Sequence, residues 1–142
     1  MVDIINNKEE IVNNKIELLF HIAEVVTGIN EEELKSKLRA RPRVIVRSIV
    51  GYILHMELGL SVVQAGSVIN RDHSTVVYYC KVHKDNFDWY KRYRDTYTKI
   101  SETFWGNYIA AEKQDIKRQV ASLERLINRL QRKQRALLKA DY

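Results

Sequence analysis

Five consecutive residues, Arg71, Asp72, His73, Ser74 and Thr75, bring a guanidinium, a carboxylate, an imidazole and two hydroxyls together just ahead of the apolar pair Val76 and Val77. In letters, Asp72-His73-Ser74 looks like a catalytic triad. Adjacent side chains on a helix diverge, however, and cannot form a chain of nucleophile, base and orienting acid. A polar run at a helix start has two other uses. It can cap the helix, because Asp, Ser and Thr oxygens accept the unpaired amides of a first turn, and one residue suffices for that. It can also read base edges, because a helix lying in a major groove does so from its N-terminal turn with mixed donors and acceptors. Recognition of duplex DNA is therefore the chemistry this stretch favours.

No other constellation competes with it. The four His and the single Cys show no metal-ligand spacing, and no G-x-x-x-x-G-K-[ST] run is present. Cys80 reads as a small core residue, and His21, His55 and His83 as packing or surface residues. No catalytic residue, cofactor or metal is expected, and the chain is read as a non-enzyme.

The elements that would position the motif are all helical. Residues 8–27 carry Ile11, Ile16, Leu19, Ile22, Ala23 and Val26 at the spacing of one buried stripe, with Gly28 as a stop. Asn30 and Glu33 form a capping pair for a short helix through about Leu38. Lys35, Lys37, Arg39, Arg41 and Arg43 follow as a basic loop. Pro42 then suits the first turn of a helix running to about Leu58, in which Gly51 marks close packing. Arg43 and Arg47, four apart, share a face of that helix. Ser61 caps a short helix that ends at Asn70-Arg71, and a second helix runs from His73 to about Lys84. Two short helices joined by a tight turn make a helix-turn-helix. Val76, Val77, Cys80 and Tyr79 are expected on the buried side of the second.

Composition agrees. A chain of 142 residues with five Gly and one Pro is long enough for one compact all-α domain of about six helices. One Cys fits a reducing cytoplasm, nothing approaches the roughly 20 apolar residues of a membrane span, and the N-terminus does not read as a signal peptide. The net charge of +6 is unevenly spread: −6 over residues 1–34, +7 over 35–84, zero over 85–107 and +5 over 108–142. The basic block coincides with the motif, as a phosphate-binding face requires. An Arg-rich loop is more often simply solvated. Beside a helix-turn-helix it is read as a phosphate-contacting loop.

Arg71-Asp72-His73-Ser74-Thr75-Val76 closely resembles the Arg-Asp-His-Thr-Thr-Val signature of DnaA domain IV, the DNA-binding domain of the bacterial replication initiator. Ala40-Arg41-Pro42-Arg43 matches that family's basic entry to its central helix, Cys80 stands where the family often has Cys, and the likeness covers roughly residues 8–104. The resemblance implies base contacts from Asp72, His73 and Ser74 and phosphate contacts from Thr75 and Arg43. It also implies a minor-groove contact from Arg39 or Arg41. With Arg47 and Arg71 these make up the expected DNA-binding set, carried on a recognition helix (72–84) and a basic loop (35–47). The sequence departs from the family at Val44 (usually Gln), in a longer central helix, in a shorter and less basic loop, and in one Asn where Gly-Gly is usual. The family's DNA site is therefore not carried over.

Two further stretches have rival readings. Phe87, Tyr90, Tyr93, Tyr97, Ile100 and Phe104 recur at helical spacing. Such aromatics can stack on single-stranded bases, but at this spacing they are read as a packing face. In the tail, Ile116, Val120, Leu123, Ile127, Leu130, Gln134 and Leu137 alternate in steps of four and three, a heptad with β-branched residues at a, which favours a parallel dimer. Leu126 and Leu138 fall off the seam, leaving higher oligomers or packing on the domain open. The expected organisation is a helix-turn-helix domain over residues 1–107 and an oligomerisation helix over 108–142. The expected activity is sequence-specific duplex binding in replication initiation or transcription regulation. With the nucleotide-driven module missing, a stand-alone form suits a phage or mobile element. The alternative is an adaptor that acts through its coiled coil.

Overall fold

The computed structural model describes the backbone of residues 2–140 and the side chains of residues 8–140. Six helices follow in order: α1 (Val2–Thr27), α2 (Glu31–Lys35), α3 (Arg41–Tyr52), α4 (Val62–Ile69), α5 (His73–Trp89) and α6 (Lys91–Ala140). Helix α3 continues as a π-helical turn, Ile53–Glu57. The described residues contain no strand. The chain divides into two compact units, Met1–Trp105 and Gly106–Tyr142.

Local chemistry sets most boundaries. Gly28 takes φ +77° at the end of α1, a value at which glycine has no steric penalty. The Asn30 side chain accepts the Glu33 amide at 2.9 Å to open α2. That helix stops at Lys35 and not at Leu38, which lies exposed in the loop. Pro42 sits in the first turn of α3. Ser61 and Gln64 form a reciprocal capping box on α4, with each side chain bonded to the other's backbone at 3.0–3.1 Å. Helix α5 runs one turn beyond the expected Lys84, and Gly106 does not interrupt α6.

The core of the first unit gathers Leu19, Ile22 and Ala23 of α1 with Leu34, Val46, Ile49, Val50 and Leu54. Ala65 and Ile69 of α4, Val76 and Tyr79 of α5, and Tyr93, Ile100 and Phe104 of α6 complete it. The aromatic stripe is thus a packing face except at Tyr90, which is exposed; Phe87 and Tyr97 are half-buried against the core. Glu57 secures the first turns of α6. Its carboxylate accepts from Tyr97 Oη at 3.0 Å, Ser101 Oγ at 3.3 Å and Trp105 Nε1 at 2.8 Å.

Candidate nucleic-acid interface

The turn between α4 and α5 is built around Asn70, which adopts left-handed φ 56° and ψ 50°. Asn is among the few non-glycine residues that tolerate this region, which explains how one Asn serves here. The Asn70 and Arg71 amides return to the end of α4, Arg71 donating to the Gly66 carbonyl at 2.8 Å. The turn presses so closely on α4 that a Cβ on Gly66 would lie 2.5 Å from the Arg71 carbonyl oxygen.

Asp72 is the cap of α5. Its carboxylate accepts the Ser74 amide at 3.2 Å and also the Ser74 hydroxyl. These two bonds, the hydroxyl's first, hold its carboxyl below the usual range. The other carboxylate oxygen lies 3.4 Å from His73 Nδ1. Asp72, His73 and Ser74 are all exposed, and Thr75 is half-buried at the edge of a cleft. The polar turn therefore stands outward on a fixed backbone. Its side chains orient one another without being consumed by the fold.

The arginines divide into two groups. Arg47 is buried, with 2 % of its surface exposed. Its Nε donates to the Leu34 carbonyl at 2.6 Å, and its Nη2 to those of Ser36 at 3.1 Å and Leu38 at 3.4 Å. Burial, then the nearby Arg71 charge, lowers its pKa from the ordinary guanidinium value. The expectation that Arg47 meets DNA is thereby corrected. Spacing put Arg47 on the face of Arg43, but its side chain turns inward and gathers carbonyls at the end of α2 and in the loop. Arg71 is half-buried and serves the same loop, donating to the carbonyls of Asn70 at 2.8 Å and of Ser36. Asn70 Nδ2 adds a bond to the Lys35 carbonyl at 3.2 Å. Arg43 pairs with Glu33 at 3.0 Å and remains partly accessible. Lys37, Arg39 and Arg41 stay exposed on the loop's outer side, with the Arg41 guanidinium 5.4 Å over the Tyr90 ring.

The inner arginines thus fix the loop, and the outer cations are presented by it. Between loop and recognition turn lies an open cleft of about 420 Å³, whose walls include Lys37, Arg39, Arg71, Asp72 and Thr75. A cationic concavity with a hydroxyl at its edge suits a phosphate.

The exposed face of α5 continues past the motif. Tyr79 turns inward against Gly51, where an added Cβ would meet its ring at 2.9 Å, whereas Val77 is 50 % exposed. The expected burial of Val77 is thus corrected: Val76 and Tyr79, three apart, hold the helix and leave Val77, Tyr78 and Lys81 outside. Sequence reasoning missed these three. Their signal was the one-turn offset of 77 and 78 from His73 and Ser74.

Residues 16–82 match the family model of the bacterial DnaA protein helix-turn-helix. This segment is similar to a DnaA-type helix-turn-helix. It spans a little under half of the chain and contains α2 to α4, residues 16–27 of α1 and residues 73–82 of α5. Both the polar turn before α5 and the loop before α3 lie inside the matched region. Comparison with curated proteins finds no match. Among the described residues no cluster of His, Cys, Asp and Glu could hold a metal ion, and no helix is long and apolar enough to cross a membrane.

Proposed function

We propose that the protein binds duplex DNA sequence-specifically, reading bases with the first turn of α5 and gripping phosphates with the loop before α3. The observation that carries this reading is the exposed Asp72-His73-Ser74 turn standing beside the cationic cleft. His73 and Ser74 supply base-edge contacts. Asp72 combines capping with an exposed carboxylate edge toward an exocyclic amine. Val77, one turn on, suits a thymine methyl. Thr75 and Arg43 take phosphates, and Arg39 or Arg41 reaches into the adjoining minor groove.

The C-terminal unit supports self-association. Ile116, Val120, Leu123, Ile127, Leu130 and Leu137 are all exposed along one side of a continuous helix, and a second copy is the partner that a heptad seam fits. A parallel dimer would bring two recognition helices to paired half-sites. Such a protein acts on cytoplasmic DNA at a replication origin or a promoter. The same exposed seam also suits an adaptor that captures another protein's helix.

Selection of bound sequences from a random duplex pool tests the reading. A recovered motif with paired half-sites is the expected result. Failure to enrich any sequence at moderate salt, with the chain folded, would sink it in favour of the adaptor.

A further inference from the structure

The tail carries a second pattern that the seam does not explain. Arg118, Arg125, Arg132 and Lys139 recur every seven residues, each two positions beyond Ile116, Leu123, Leu130 or Leu137. Two positions are about 200° around an α-helix, so these cations line the side of α6 opposite the apolar seam. From Arg118 to Lys139 the stripe is about 32 Å long at the helical rise per residue, close to the roughly 34 Å of one duplex turn.

Its charge is not balanced locally. Residues 117–139 hold eight Lys or Arg and only one acid, Glu124. A solvated helix mixes its signs at four-residue spacing. Of the positions three or four before or after the stripe residues, Asp115 beside Arg118 holds an acid; those around Arg125, Arg132 and Lys139 hold none. The ion pairs found among the described residues lie elsewhere, and Arg125 donates only to the Ser122 hydroxyl at 3.3 Å. Five of the eight cations are arginine, whose planar fork matches phosphate oxygens. A basic amphipathic helix can also lie on an anionic bilayer, but such helices set Trp, Phe and Leu on a broad apolar face. Between Ile109 and Ala140 there is no aromatic residue, and the apolar positions keep mainly to a narrow seam.

We infer that this stripe is a second, sequence-independent track for duplex phosphates, separate from the helix-turn-helix. It rests on the reading of the protein as a duplex binder. Where two copies share the seam, each helix keeps its stripe outward. The tail then adds affinity for any duplex and leaves the choice of bases to α5.

The test measures binding of the full chain to a random duplex and to its selected duplex across a salt series. One variant carries Arg118→Gln, Arg125→Gln, Arg132→Gln and Lys139→Gln; another carries the three Arg→Lys changes. On both duplexes the Gln variant should show a salt slope shallower by about 0.9 for each phosphate it no longer neutralises. Its helicity, oligomeric state and base preference should be unchanged, and the Lys variant should keep the original slope. An unchanged slope in the Gln variant overturns the track, as does a loss of binding confined to phosphatidylserine vesicles. His73→Ala, measured alongside, separates the two ideas. If it loses no preference for the selected duplex, the base-reading assignment fails while the stripe stands. A wild-type chain that retains neither duplex removes both.

Discussion

Arg43 and Arg47 lie one helical turn apart, yet they face different tasks. Arg47 donates to four carbonyls, those of Glu33 and Leu34 in α2 and of Ser36 and Leu38 in the loop, so Arg47→Ala should lower stability by about 1–3 kcal/mol for the carbonyls it leaves without a donor. It should weaken specific and random duplex binding together, because the loop loses its shape; thermal unfolding beside a gel-shift checks both. Arg43→Ala leaves the loop bound and removes one partly accessible cation. Stability should barely change, and the salt slope should fall by about one on every sequence. His73→Ala should do neither: about 1–3 kcal/mol should be lost on the selected site and almost nothing on random duplex. Equal losses on both would count against base reading. Spacing made the shared face of the two arginines legible. It did not show that loop 36–40 offers carbonyls only to the second, because that depends on where α2 stops. The same limit applies to Val77. Apolar type spoke for burial, and only the packing of Tyr79 on Gly51 turned it outward.

At the scale of elements, caps and stops were the most legible features, since each rests on one local bond or one φ angle. Asn30, Ser61, Asp72 and Gly28 all act where their chemistry placed them. The π-helical turn after Tyr52 was not legible, because Glu57 is held there only through Tyr97, Ser101 and Trp105, some 40 or more residues away. The α4–α5 turn invites a direct check. Gly66→Ala puts a methyl against the Arg71 carbonyl, where backbone must move, so destabilisation of about 1–3 kcal/mol is expected by chemical denaturation. The junction of α3, α5 and α6 is expected to respond to pH through His83. His83 stacks on Tyr52 with ring centroids 3.5 Å apart, and its Nδ1 lies 2.6 Å from the Tyr93 hydroxyl. Burial lowers its pKa below 6.5, against an opposing pull from Glu57. As pH falls the unfolded chain therefore takes up this proton first. The contribution of the neutral ring is intact above about pH 6.5 and declines as the pH drops toward the folded value. His83→Phe should flatten that part of the melting-temperature profile, whatever it does to the plateau. An unaltered acid limb would assign the effect to other groups.

For the whole molecule, charge distribution follows the architecture more closely than total charge does. The basic middle supplies the loop before α3 and the turn into α5, and the basic tail forms a unit of its own. Whether that unit joins two chains is decided by its seam, since a helix with Leu123, Ile127 and Leu130 all exposed has large apolar area still in water. Leu123→Glu with Leu130→Glu places charges where a partner helix would bury them, while leaving helix propensity nearly intact. Light scattering should then report a monomer in place of the wild-type oligomer. On a duplex with two half-sites, affinity should drop by about 100-fold or more, the scale on which linked sites gain from a shared tether. On a duplex with one half-site it should stay the same. That contrast separates a tail that couples two readers from one that steadies a single domain, because a steadying role would weaken both duplexes alike. Wild-type chain that is monomeric at micromolar concentration would rule out the coupling and leave the seam to a different helix.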